Sequence, residues 1–513
     1  MPQDTVSTKT GPAQTARKAR MKQHPKPAVS GIAAGSRHTS AAGMRALEKG
    51  GNAWDAAIAA LAMAFVAEPL LASPGGGGYL LSDPACGNAE VLDFFAQTPR
   101  QRPAEERIQA GLLDFHPIHG DFGGATQEFH IGAAAAAVPG AIAGLLAMHR
   151  QYASLPLSEL LADAIRAARD GIRLEQSQQF VAEILSPILA ADKLTAQTFQ
   201  VAENGRYRNP ALADFLHALA ELGSERGQEW FYRGPVAEAI AAAQEKGGLI
   251  RAEDLAAYAV IKRQPLSRDF PGYRVLTNPP PSTGGRLIVA ELEHAHHNDA
   301  PLPVRLAEAM READRLKLAA SRAGTTHISV FDSAGNLAAV TVSNGEGNGQ
   351  VIAPYGFMLN NFLGEEDINP GGFFRWPAGT RLASMMAPTV LHSDNGHRFA
   401  LGSGGSNRIK TAIFQVIWHA MMGETGTPGH GKPLNFAVSH PRLHYENGVL
   451  DIEAGWPPSA IEQLQEAFPR HRLWDKPNLY FGGVHAVQTG TTNAATGDFR
   501  RQGCGLLSSQ PDA

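Results

Sequence analysis

Gly324-Thr325-Thr326-His327-Ile328-Ser329-Val330-Phe331-Asp332-Ser333-Ala334-Gly335-Asn336-Leu337-Ala338-Ala339-Val340-Thr341-Val342-Ser343 reads as a β-hairpin. β-Branched and aromatic residues alternate with polar ones from Thr326 to Phe331, Asp332 to Asn336 carry turn chemistry, and Leu337 to Ser343 resume the strand pattern. Pairing Asp332 with Asn336 sets Thr325 opposite Ser343 and leaves Thr341 one diagonal step away, which gathers hydroxyls at one end of the hairpin. Threonine is also a good strand former, so the hairpin alone does not separate chemistry from propensity.

Downstream lie Gly345-Glu346-Gly347-Asn348-Gly349, a strand or loop at Gly356 to Asn361, and an irregular stretch from Asn369 to Gly379. A strand at Thr389 to His392 turns at Asn395-Gly396 into a return strand, Arg398 to Leu401. Gly402-Ser403-Gly404-Gly405-Ser406-Asn407-Arg408 then opens a helix, Ile409 to Met422. Such a turn presents free backbone N–H groups together, the geometry that stabilises a developing oxyanion, although any capped helix start looks similar. Strands at Val449 to Glu453 and Gly483 to Gln488 flank a helix at Ser459 to Phe468.

Upstream, Asn52 is expected to cap a helix from Ala53 to Ala67 that is apolar nearly all round, hence buried. Ser73-Pro74-Gly75-Gly76-Gly77-Gly78 follows, where the backbone is expected to take conformations that a side chain forbids, and then a strand at Tyr79 to Ser82. No Gly-Lys-Ser/Thr follows the glycines, and their order between helix and strand is the reverse of a nucleotide loop. Val91 to Phe95 is a strand, Arg100 to Phe129 reads as irregular, and amphipathic helices recur from Pro139 to Lys246. The proline-rich turn Asn278 to Gly285 precedes helices at Arg286 to His297 and Val304 to Ala320. His294, His296, His297 and Asp299 lack a second ligand set at a diagnostic spacing and suit a helix C-terminus, so neither a metal nor a cofactor is expected.

A chain of 513 residues with 18% charged and 43% hydrophobic residues is an ordinary globular composition, and a formal charge of −4 points to neither nucleic acid nor an anionic membrane. Residues 1–29 look like a disordered basic tail without the apolar core of a secretion signal, so a cytoplasmic location is expected. The apolar stretch Ala56 to Ala72 is broken by Glu68-Pro69 and is too short to span a bilayer. The only cysteines are Cys86 and Cys504, for which reduced thiols are the simpler expectation.

Several stretches together resemble the gamma-glutamyltranspeptidase family of N-terminal nucleophile hydrolases. Gly50-Gly51-Asn52-Ala53-Trp54-Asp55-Ala56-Ala57, Glu68-Pro69 with Gly75 to Gly78, Val138-Pro139-Gly140, Ala168-Arg169-Asp170-Gly171, Phe231-Tyr232-Arg233-Gly234, Asp254-Leu255-Ala256-Ala257-Tyr258, Pro279 to Gly285 and Ala313-Asp314-Arg315 follow in the family's order. The resemblance implies an α/β fold, a four-layer αββα sandwich. It further implies a precursor that cuts itself between Gly324 and Thr325 into a large segment, residues 30–324, and a small one, residues 325–513. Thr325 would be the nucleophile and, through its new α-amino group, its own general base. Ser343 falls where the family assists the nucleophile with a hydroxyl, with Thr341 nearby, and the oxyanion donors fall at Gly405 and Ser406, or with a shift at Gly404 and Gly405. Asn344 corresponds to a substrate-contacting asparagine.

The departures bear on substrate. The arginine that binds the donor's α-carboxylate is replaced by Phe95, the acid that holds its α-amino group becomes Glu365 or Glu366, and the Ser-Ser-Met segment reads Ala383-Ser384-Met385-Met386. Losing a guanidinium removes a bidentate carboxylate partner. The segment usually found before the nucleophile is also nearly absent. The leading expectation is amide cleavage of a small molecule such as glutathione or a related gamma-glutamyl compound, with hydrolysis or transfer to an amine. The alternatives are an acylase with a non-glutamyl donor and an uncut, inactive binding protein, and a further homo-oligomer is left open.

Overall fold

The computed structural model describes residues 29–121, 126–202, 204–316, 324–369 and 371–508. The basic tail and the last residues of the helix expected to reach Ala320 lie outside these. Thr325–Phe331 and Leu337–Ser343 form the expected hairpin, with Thr325 opposite Ser343, His327 opposite Thr341 and Phe331 opposite Leu337.

Period-two alternation sorts the hairpin's side chains between two cores. Ile328, Val330, Ala338, Val340 and Val342 pack with the helix Ala53–Ala67, all of whose residues are buried. Phe331, Leu337 and Ala339 join the opposite core with Val390, Ala400, Leu401 and Val484 of a second sheet. Thr325, His327 and Ser329 share the parity of Phe331, so the polar face of the hairpin looks between the sheets.

The first sheet has seven strands in the order Cys504–Leu507, Gly31–Ala34, Thr325–Phe331, Leu337–Ser343, Gly77–Asp83, Glu90–Phe94, Ile261–Arg263. The second has six, in the order Ala494–Thr496, Gly483–Thr489, Arg398–Gly404, Thr389–Ser393, Tyr273–Thr277, Leu266–Phe270. Neighbouring strands are antiparallel throughout. The helices Arg37–Glu48, Ala53–Ala67 and Ala141–Tyr152 cover the first sheet, and Gly284–His296, Leu302–Arg315 and Arg408–Met421 lie on the side of the second, completing an αββα sandwich.

The strand Gly31–Ala34, which pairs on both sides, escapes pattern reading because it is short and its first residue must be small. A methyl on Gly31 would lie 2.3 Å from Cε1 of Phe331. The region read as irregular holds a short helix, Glu105–Gln109, and a strand pair, His116–Asp121 with Thr126–Ile131. None of Gly75 to Gly78 takes a positive φ. Their glycines answer to close approach instead: methyls on Gly76 and Gly78 would lie 2.2 Å from the carbonyl oxygens of Ser343 and Thr341. Both cysteines are free thiols. Among the described residues, no helix is long and apolar enough to cross a membrane.

Candidate active site

The N-terminal end of the central strand meets the second sheet where Arg398–Gly404 ends. A methyl on Gly404 would lie 2.0 Å from the carbonyl oxygen of Thr325, so only glycine admits this approach. The strand runs on past Leu401 to Gly404, and the turn follows with Gly405 at φ +119° and Ser406 at φ +59° before the helix Arg408–Met421. Among the described residues, the N–H groups of Gly405 and Ser406 donate to no protein acceptor.

The peptide before Thr325 is held at both of its polar groups. Ser343 Oγ donates a 2.5 Å hydrogen bond to the carbonyl oxygen of Gly324 and accepts one of 3.0 Å from Gly345 N–H. Gly324 N–H donates to Glu346 Oε1 at 3.1 Å. Burial pushes the Glu346 carboxyl up to about 8, against opposing hydrogen bonds from Asn361 and Gly324, so it is neutral near pH 7.

Thr341 serves a different partner. Its hydroxyl lies 2.8 Å from His327 Nδ1, while His327 Nε2 lies 2.8 Å from Ser329 Oγ, which itself donates to the carbonyl oxygen of His485. Ser329 has one proton to give, so Nε2 carries the ring proton and Thr341 donates to Nδ1. Burial depresses the His327 pKa well below its ordinary value, consistent with a neutral ring.

Glu365 is buried, and a methyl on Gly345 would lie 2.7 Å from its Oε1, which sets it beside the loop that grips Gly324. Glu366 is exposed. Asn344 is fully buried against the glycine turn, its Oδ1 without a hydrogen-bond partner. Phe95 stands apart, packed in the inter-sheet core between Tyr79 and Phe362 at ring separations of 5.7 and 4.6 Å. Met385 is core, and Ser384 turns its hydroxyl to Met386 N–H, so neither lines the cleft at Thr325.

That cleft is a narrow one, with a cavity volume of about 20 Å³, bounded by Glu68, Leu71, Thr325, Thr326, Leu479 and Arg501, among others. Glu68 accepts from the hydroxyls of Thr39 and Thr326, and burial raises its pKa to about 7. Glu68, Glu346 and Arg501 were not singled out from sequence. Glu68 appeared as a charge interrupting an apolar run and within the Glu68-Pro69 motif, with no role at the site, and Glu346 as a lone acid among glycines, while Arg501 carried no local signal. Among the described residues, no group of three or more His, Cys, Asp or Glu side chains is arranged to hold a metal ion.

The gamma-glutamyltranspeptidase family model matches residues 39–317 and 292–507. The chain is 27% identical to a glutathione hydrolase proenzyme of Escherichia coli (strain K12), covering 86% of each chain. It is 28% identical to an acylase ACY 1 proenzyme of Pseudomonas sp. (strain V22), covering 89% of each. A cephalosporin acylase from Bacillus halodurans shares the fold with a TM-score of 0.78 at 22% identity, over 97% of this chain and 99% of that one. Sequence, sandwich and site lead to one conclusion: the chain belongs to the gamma-glutamyltranspeptidase family and is an enzyme of the N-terminal nucleophile hydrolase type.

Proposed function

We propose that this chain is a self-cleaving, gamma-glutamyltranspeptidase-like enzyme that breaks an amide bond through a threonyl acyl-enzyme and passes the acyl group to water or an amine. The observation that carries this reading is the grip of Ser343 and Glu346 on Gly324, directly before the buried Thr325. Thr325 Oγ adds to the Gly324 carbonyl carbon, the oxygen polarised by Ser343. The C–N bond breaks, the departing nitrogen takes the hydroxyl proton, and an ester is left. Water hydrolyses the ester to a Gly324 carboxylate and a free α-amine on Thr325.

That amine, with an ordinary pKa of about 8, then accepts the Thr325 hydroxyl proton as Oγ adds to the substrate carbonyl. The free N–H groups of Gly405 and Ser406 are suited to hold the resulting oxyanion. The leaving amine departs with the proton, and water or a second amine takes the acyl group from the ester. Both pieces stay in one body, because Thr325–Phe331 lies between Gly31–Ala34 and Leu337–Ser343 in the sheet.

Gamma-glutamyl compounds such as glutathione are the first donor class. The packing of Phe95 against Phe362 favours a second reading, an acylase whose donor is not glutamyl. N-terminal sequencing of the purified protein tests the core of the proposal. A fragment beginning at Thr325, absent from Thr325→Ala, is expected, and mass spectrometry after quenched turnover should find the acyl group on Thr325. A single uncut, active chain would overturn it.

A further inference from the structure

We propose that Arg501 binds a carboxylate on the acyl part of the donor, so that the substrates are amides of carboxylate-bearing acyl groups; this rests on the reading of the site as an amidase. Arg501 lines the cleft at Thr325. A methyl on Gly404, already 2.0 Å from the Thr325 carbonyl oxygen, would lie 3.3 Å from Arg501 Nη1, and one on Gly405 would lie 3.3 Å from Nη2. The guanidinium therefore lies alongside the Gly404–Gly405 turn, next to the residue that would carry the acyl group.

Its protein partners are few. Arg501 Nη2 makes one long hydrogen bond, 3.5 Å, to the Leu479 carbonyl oxygen, and Nε is buried with no acceptor. Among the described residues it forms no ion pair, whereas the neighbouring arginines are committed: Arg500 to Glu453 and Asp498, and Arg442 to Asp498. Those pairs anchor the segment, and the Arg501 stem is set against Gly483, where a methyl would lie 2.3 Å from its Cδ. Glu68 shares the cleft, but its oxygens accept from Thr39 and Thr326, and it is half neutral near pH 7. Burial pulls the Arg501 pKa down to about 10, offset in part by Asp498 and Glu68 and reinforced by Arg408 and Arg442.

A largely desolvated cation with no direct ion pair among the described residues is costly unless an anion completes it. A planar guanidinium with free donors suits a carboxylate in particular. Leu71, Val181 and Leu479 supply apolar wall for the carbon chain between that carboxylate and the reacting carbonyl. The arrangement would offset the guanidinium missing at Phe95 from a different element of the fold.

The test uses self-cut wild-type protein and acyl p-nitroanilides in pairs, each free carboxylic acid against its methyl ester. One arm uses the γ-glutamyl group and another plain ω-carboxyacyl groups, which separates an amino-acid donor from a simple diacid donor. The acids are expected to exceed the esters about 100-fold in kcat/KM, mainly through KM, as fits loss of a charged hydrogen-bonded pair. Arg501→Gln should abolish that preference and Arg501→Lys restore part of it. Equal turnover of acid and ester by wild type overturns the Arg501 assignment and leaves the acyl-enzyme standing, whereas no turnover of any amide by cut protein removes both. Equal losses on acid and ester in Arg501→Gln, with the preference kept, would make Arg501 a scaffold for the turn and would also overturn the assignment. The wild-type comparison needs no variant, so it decides the matter even if Arg501→Gln stays uncut.

Discussion

The hydroxyl of Ser343 donates a 2.5 Å hydrogen bond to the carbonyl oxygen of Gly324, its partner across the hairpin being Thr325 itself. The pairing register thus delivers a donor to the oxygen that would take up charge in the proposed attack of Thr325 on the peptide. Ser343→Ala is expected to slow self-cleavage about 100-fold, the usual cost of removing one oxyanion donor, while Ser343→Thr keeps most of the rate. A time course of precursor loss on denaturing gels measures both, and unchanged cleavage in Ser343→Ala would remove this hydroxyl from the mechanism.

Gly324 has no room for a side chain. A methyl there would sit 2.6 Å from the Gly345 carbonyl oxygen and 3.1 Å from Leu71 Cδ2. Gly324→Ala must therefore displace the peptide proposed as the self-cleavage site, and a shift on the order of 1 Å costs about 100-fold in rate. The same gel assay should show precursor accumulating, with an unaltered fold by circular dichroism.

The buried glutamates make stability depend on pH with a definite sign. Glu346 is raised to about 8 and Glu68 to about 7, so between pH 4.5 and 8 the folded chain holds protons that the unfolded chain has released. Their contribution is fully present below about pH 4.5 and falls as pH rises toward 8. Buried neutral histidines such as His327 act oppositely at acid pH, so the informative quantity is a difference. In the uncut Thr325→Ala background, Glu346→Gln should gain on its parent by several degrees in Tm between pH 5 and 8. Parallel Tm profiles would mean that Glu346 is not protonated in the folded chain.

Thr341→Val removes the hydroxyl that donates to His327 Nδ1 and strands a buried ring nitrogen. The expected loss is about 1–3 kcal/mol of stability, read from denaturant unfolding of the uncut Thr325→Ala chain. Thr341→Ser, which keeps the hydroxyl, should recover most of it. No loss in Thr341→Val would mean that water replaces the hydroxyl or that the ring adopts the other tautomer.

How much of this was legible in the sequence follows the range of the interactions. The hairpin register, the Asn52 cap and the apolar helix behind the sheet are set by residues a few positions apart, and side-chain alternation carried them into the fold. The strand start at Thr325 and the glycine turn at Gly404–Ser406 were readable because backbone geometry at such turns demands particular residues. What each acid and base does was decided only in three dimensions. Glu346 acquires its proton from burial, Thr341 is claimed by His327, and Phe95 is drawn into an aromatic stack away from the cleft. Arg501 reaches Thr325 only because a carboxy-terminal segment, anchored by Arg500 and Arg442 to buried acids, folds back against the second sheet. Desolvation and long-range packing have no local sequence pattern, so the strand that begins at Thr325 could be read from the chain while its electrostatic surroundings required the fold.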